Sequence, residues 1–178
     1  YKADLAIFCV KEYQNEQACE IIANSISDNT TILTLQNGLG SGEFLGQKFG
    51  SEKVVLGAAY VEASKGKPGE IFEHGGGCSI TFGKQSDIQE GRIKELSKIF
   101  ASSNIDFKVS ENIHDSLWQK LVFISALSGM TCITKSTFKE VMNNPATRNI
   151  TISLVRETAS VASEIVPNFS RDTVQNTI

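Results

Sequence analysis

The sequence predicts an α/β chain: one half of a doubly wound parallel sheet, followed by the opening of an all-helical domain. Short apolar runs alternate with helical patterns from Leu5 to Tyr60. From Glu111 onward every periodic segment is helical. The boundary lies near Ser110, which gives domains at 1–110 and 111–178.

Leu5–Val10 (LAIFCV) is a continuous apolar run, the pattern of a strand buried on both faces. Asn15–Ile26 carries Ala18, Ile21, Ile22 and Ile26 at helical spacing. Thr31–Leu35 (TILTL) is a second strand, closed by Gln36-Asn37-Gly38. Ser41 can cap a short helix to Phe49, and Val54–Tyr60 is a third strand. Strands separated by helices pair in parallel through right-handed crossovers. Beyond Ala63 the pattern changes. Lys65-Gly66-Lys67-Pro68-Gly69 is a turn, and the alternating runs Glu70–His74 and Cys78–Phe82 predict an antiparallel pair across Gly75-Gly76-Gly77. Ile88–Ala101 is an amphipathic helix with Ile93, Leu96, Ile99 and Phe100 on one side, and Ile105–Val109 is a short strand.

The helical part opens with Glu111–Ile133, where Ile113, Leu117, Leu121, Ile124 and Leu127 form an apolar stripe. Lys120 shares that stripe. An ammonium in apolar surroundings has a depressed pKa and can give or take a proton near neutrality. The plainer reading is a lysine whose stem packs while its head reaches water. Thr137–Met142 and Ala146–Ile165 are further helices, punctuated by Asn144-Pro145 and stopped by Pro167.

The 178 residues are 40% hydrophobic and 21% charged, ordinary composition for a globular chain with a sizeable core. A net charge of -3 and a pI near 5.5 argue against nucleic acid or an anionic membrane as partner. No unbroken run of about 18 apolar residues predicts a membrane span. Four scattered cysteines, with His74 and His114, show no zinc spacing, so no metal is expected. Cys9 and Cys132 sit in apolar runs and read as buried thiols, consistent with a reducing, cytoplasmic setting. The chain starts without Met, almost directly on a strand, and reads as a segment of something longer.

Ligands of open α/β sheets bind beyond the carboxyl ends of the strands. Val10-Lys11 and Gln36-Asn37-Gly38-Leu39-Gly40 occupy such positions. The glycines permit close backbone approach, and the Asn37 amide can donate and accept at once; Asn-Gly is equally a turn dipeptide. Lys11 can meet a cofactor or simply end a strand in water. His74 reads as a surface histidine, and Gly75–Gly77 is not a phosphate loop because no helix follows it. A G-x-G-x-x-G fingerprint is absent from these residues.

FCVKEYQ (8–14), LQNGLG (35–40), Gly57–Ala63, Pro68-Gly69 through His74 to Gly83, and LWQKL (117–121) stand in the order seen in ketopantoate reductases. The chain therefore resembles that family, 2-dehydropantoate 2-reductases that use NADPH, from about Asp4 to Ile133. The resemblance implies the second half of a Rossmann-like NADP-binding domain, followed by the start of a helical domain like that of 6-phosphogluconate dehydrogenase. The glycine fingerprint and the residues that read the 2′-phosphate would then lie upstream of Tyr1. By the same resemblance Lys11, Asn37 and Ala63 bind the cofactor, Asn37 also touches substrate, and Lys120 is the general acid that protonates the substrate carbonyl.

The sequence departs from the family at substrate positions. Asparagines expected four and eight residues after the lysine are Ile124 and Ser128 here, and a later one falls near Phe138. Ser128 can still hydrogen-bond substrate, whereas Ile124 cannot. The reading is NADPH-dependent reduction of a 2-keto acid, ketopantoate to pantoate in pantothenate biosynthesis, by a homodimer. The alternatives are a reductase of a bulkier 2-keto acid and a non-catalytic dinucleotide-binding module.

Overall fold

The computed structural model describes residues 1–75, 77–167 and 169, in two compact units, Tyr1–Ile113 and His114–Ile178. The first unit is built on β1 (Leu5–Phe8), α1 (Asn15–Ile22), β2 (Thr31–Thr34), α2 (Ser41–Phe49) and β3 (Val54–Tyr60). It continues through β4 (Ala63–Lys65), β5 (Ile71–Glu73), β6 (Ser79–Gly83), α3 (Glu90–Ser102) and β7 (Asp106–Val109). The main sheet has the order β1-β2-β3-β6-β7. β1, β2 and β3 run parallel, β6 is antiparallel to β3, and β7 is parallel to β6.

Side chains alternate across this sheet, so neighbouring residues of one strand feed opposite cores. Ile32 and Val54 join Phe8, Cys19 and Leu45 on the side covered by α1 and α2. Leu33 and Val55 join Ile80, Phe82, Ile93, Leu96 and Phe100 on the side covered by α3. Phe82 stacks on Phe107 and meets Phe100 edge-on, at 5.7 and 5.4 Å between ring centres. Helices on both faces make this a doubly wound sheet.

Several expectations are corrected. β1 ends at Phe8 rather than Val10, and it is not buried on both faces: Ile7 is 52% exposed because β1 is the edge strand of the described sheet. Cys9, just past its end, and Cys132, on an outward helix face, are exposed; Cys19 is the buried thiol. Ile21, placed on the apolar face by spacing, is exposed, as is Ile99. The runs Glu70–His74 and Cys78–Phe82 do not pair with each other. The Gly66–Gly69 turn, closed by Gly66 N–H to the Glu70 carbonyl at 3.1 Å, folds β5 back on β4. That leaves β6 free to pair with β3. Ser41 is not the cap of α2. Gly40 takes that position at φ +91°, and Ser41 Oγ instead accepts from Thr34 Oγ1 at 3.1 Å.

The second unit holds α4 (Ile113–Thr134), α5 (Phe138–Asn143) and α6 (Pro145–Ile165). Thr137 caps α5 in a reciprocal pair: Glu140 N–H donates to Thr137 Oγ1 at 3.3 Å and Thr137 N–H to Glu140 Oε2 at 2.8 Å. Asn144 Oδ1 accepts from Ala146 N–H at 3.0 Å and starts α6, with Pro145 as its first residue. The core of this unit joins Val122 and Ala126 of α4 to Val155, Ala159 and Ala162 of α6.

Of the predicted stripe Ile113 and Leu117 are buried, whereas Leu121, Ile124 and Leu127 are only half-buried; further along α4 the buried line is Val122, Ala126 and Met130. Nearly every position on α4 is apolar, so spacing alone does not single out the face that packs. Averaged over a window, α4 is also long and apolar enough to cross a membrane by length and composition, with a mean hydropathy of 1.2. It is not an unbroken apolar run, because serines, threonines and Lys120 interrupt it. Val122 and Ala126 pack against α6, while only 17% of that apolar window is buried.

Candidate cofactor and catalytic residues

The carboxyl ends of β1 and β2 open into two loops. The last ladder bond between the strands runs from Leu35 N–H to the Phe8 carbonyl at 3.0 Å. Beyond it the Gln36 carboxamide takes over: Nε2 donates to the Val10 carbonyl at 2.6 Å and to Asn15 Oδ1 at 2.8 Å. Gln36 and Asn15 are both buried. Gln36 Oε1 is buried too, with no hydrogen-bond donor among the described residues.

These loops wall a cavity of about 340 Å³ whose lining includes Asn15, Gln36, Asn37, Ser41, Glu12 and Glu16. Asn37 is exposed, and its carboxamide makes no hydrogen bond to the described residues. Gly38 and Gly40 hold φ +94° and +91° with open space where a Cβ would stand. Any other residue is strained in that left-handed region. Lys11 is exposed next to Glu12 and outside the cavity lining; its carbonyl accepts from Gln14 N–H at 2.8 Å.

Among the described residues no cation lines this cavity, and Glu16 is paired with Lys48 at 2.7 Å. The donor set therefore fits an uncharged, hydrogen-bonding part of a dinucleotide, a ribose or a carboxamide, rather than its pyrophosphate. Ala63 is the first residue of β4, exposed and paired with Glu73, away from the cavity lining. His74 is exposed, with Nε2 at 2.6 Å from Ser64 Oγ. Among the described residues no group of three or more His, Cys, Asp or Glu could hold a metal ion.

In the second unit Lys120 lies on α4, half-buried, and burial pushes its pKa below the ordinary lysine value. Ile124 and Ser128 follow at four-residue steps on the same face, each about 6 Å further along the axis. Beside them Phe123 meets Phe138 of α5 edge-on at 6.0 Å. The face reads cation, branched apolar group, hydroxyl. Sequence reasoning singles out Lys120 and places Gln36 in a strand-end loop, but does not show the buried tie from Gln36 to Val10 and Asn15, because a polar residue just after a strand looks like part of a turn.

A mostly parallel sheet with helices on both faces, loops at its strand ends and a helical unit after it define a Rossmann-like α/β protein with an appended helical domain. Residues 1–87 match the family described as "Ketopantoate reductase PanE/ApbA", and residues 112–178 match its C-terminal part. The chain belongs to the ketopantoate reductase family. It is 24% identical to the 2-dehydropantoate 2-reductase of Halobacterium salinarum over 97% of its own length and 56% of that protein.

Among solved structures, the 2-dehydropantoate 2-reductase of Geobacter metallireducens GS-15 has a TM-score of 0.87 at 26% identity, covering 99% of this chain and 60% of that one. A D-mandelate dehydrogenase, solved with NADH and anilino(oxo)acetate, shares the fold at a TM-score of 0.90 and 23% identity, over 99% of this chain and 56% of that one. The chain spans about half the length of the curated relatives it matches.

Proposed function

We propose that the whole protein is a reductase of 2-keto acids that uses NADPH, converting 2-dehydropantoate to pantoate for pantothenate biosynthesis in the cytoplasm, as a homodimer. The observation that carries this reading is the half-buried Lys120 ammonium with its lowered pKa, on a chain of this family. The nicotinamide cofactor, when bound, supplies the hydride to C2 of the substrate. The Lys120 ammonium donates the proton to the carbonyl oxygen, so that ketone, hydride and proton give the alcohol. Negative charge gathering on that oxygen is stabilised by the same ammonium. Asn37 donates to and accepts from cofactor and substrate together. Lys11 and the Ala63 backbone secure the cofactor, and Ser128 hydrogen-bonds the substrate.

A second reading, reduction of a 2-keto acid with a purely apolar side chain, is favoured by Ile124 on the Lys120 face and the Phe123–Phe138 pair beside it. Ile124 gives a substrate hydroxyl no partner, and a missing polar contact costs selectivity for such a group.

The test is NADPH and NADH oxidation by the full-length protein across ketopantoate, 2-ketoisovalerate and phenylglyoxylate. Reduction of ketopantoate with NADPH is the expected result. Preference for the unhydroxylated acids would move the assignment to the second reading, and no turnover of any 2-keto acid would remove the enzymatic reading altogether.

A further inference from the structure

We propose that Gln36 is a positioning residue of the cofactor site, a latch that holds the loop carrying Asn37 against the turn carrying Lys11; this rests on the cofactor reading above. The main-chain ladder between β1 and β2 ends at the Leu35 N–H to Phe8 carbonyl bond, and past it the two chains part into their loops. Gln36 continues the tie with a side chain. Its two N–H groups reach the Val10 carbonyl, one residue before Lys11, and Asn15 Oδ1, on the first residue of α1.

Both Gln36 and Asn15 are more than nine-tenths buried, so water does not compete for these bonds. Asn37 is the next residue, and Gly38 and Gly40 follow in left-handed conformations with open space where a Cβ would stand. The Gly40 carbonyl accepts from Phe44 N–H at 3.0 Å and ties the far end of the loop to α2, while Gln36 ties its root. A tie serving stability alone would satisfy both ends of the amide. Here Oε1 remains a buried acceptor without a donor, on a residue that lines the cavity.

The test is an isosteric change in the full-length protein, Gln36→Glu, with Gln36→Ala and Asn15→Ala beside it. A carboxylate has no N–H to give the Val10 carbonyl, whereas a protonated carboxyl has one donor. At neutral pH, Gln36→Glu should weaken NADP⁺ binding in titration calorimetry about tenfold, the scale of one lost hydrogen bond. Binding should recover as pH falls and the new carboxyl protonates, while the wild type shows no such recovery. In steady state KM for NADPH should rise with little change in kcat. Amide hydrogen exchange at residues 37–40 should quicken in the ligand-free variant at neutral pH and slow again in acid.

Wild-type affinity in Gln36→Glu at all pH values would overturn the latch. So would a loss that ignores pH and follows a lowered Tm, which is what a merely structural residue gives. If Gln36→Ala fails to fold, the glutamate variant, unchanged in shape, still decides. Failure of the wild type itself to bind NADP⁺ or NAD⁺ would instead sink the cofactor reading, and the latch with it.

Discussion

Lys120 sits half-buried on α4, and the loss of hydration there disfavours its charged form. A general acid must carry its proton when the hydride arrives. Reduction should therefore slow as pH rises through the depressed lysine pKa, and the alkaline limb of kcat/KM should lie below the ordinary lysine value. A limb at or above that value, measured over a full pH–rate profile, would contradict the assignment. The stability effect has the opposite direction. The buried ammonium disfavours folding at low pH, and that penalty is relieved as pH climbs from the folded-state pKa to the unfolded one. One turn further along α4, Ile124→Asn should raise kcat/KM for ketopantoate relative to 2-ketoisovalerate by about tenfold if side-chain polarity is what this face lacks. An unchanged ratio would mean that Ile124 does not meet the substrate's side chain. Lys120 is legible in the sequence because a charge inside an apolar stripe breaks a pattern. Gln36 is not, because its burial depends on Val10 and Asn15 standing where only the folded chain puts them.

At the scale of elements, local chemistry explains most boundaries and tertiary pairing explains the exceptions. Val54–Tyr60 and Ser41–Phe49 have the bounds read from the sequence, although Gly40 rather than Ser41 caps the helix. The β5–β6 hairpin is not, since alternation marks a strand but does not name its neighbour; a three-residue β5 finds β4 across the Gly66–Gly69 turn, and β6 finds β3. Phe82 of β6 fills the space between Phe100 and Phe107 with no exposed surface. Phe82→Ala should accordingly cost about 3–5 kcal/mol in denaturant unfolding. Asn144→Ala should cost about 1 kcal/mol, because it removes the acceptor for the first free N–H groups of α6. A neutral result for Phe82→Ala would mean that the aromatic cluster is not the centre of the first unit's core.

For the whole molecule, the strand-end loops with their amide and glycine groups lie in the first unit and Lys120, on a long helix, in the second. In the sequence, strand-like runs stop after Val109, and every later periodic segment is helical. The 178 residues contain no G-x-G-x-x-G segment, and among the described residues no cation lines the cavity wall. This chain by itself should therefore bind NADPH far more weakly than the full-length protein, and a tight complex of the isolated chain in calorimetry would contradict that.

The most direct test of the account is kcat for NADPH-dependent 2-keto acid reduction by full-length Lys120→Ala, with the cofactor Kd measured alongside. Loss of the proton donor should lower kcat about a hundredfold or more while cofactor affinity stays as in the wild type. Undiminished turnover in that variant would contradict the account at its centre.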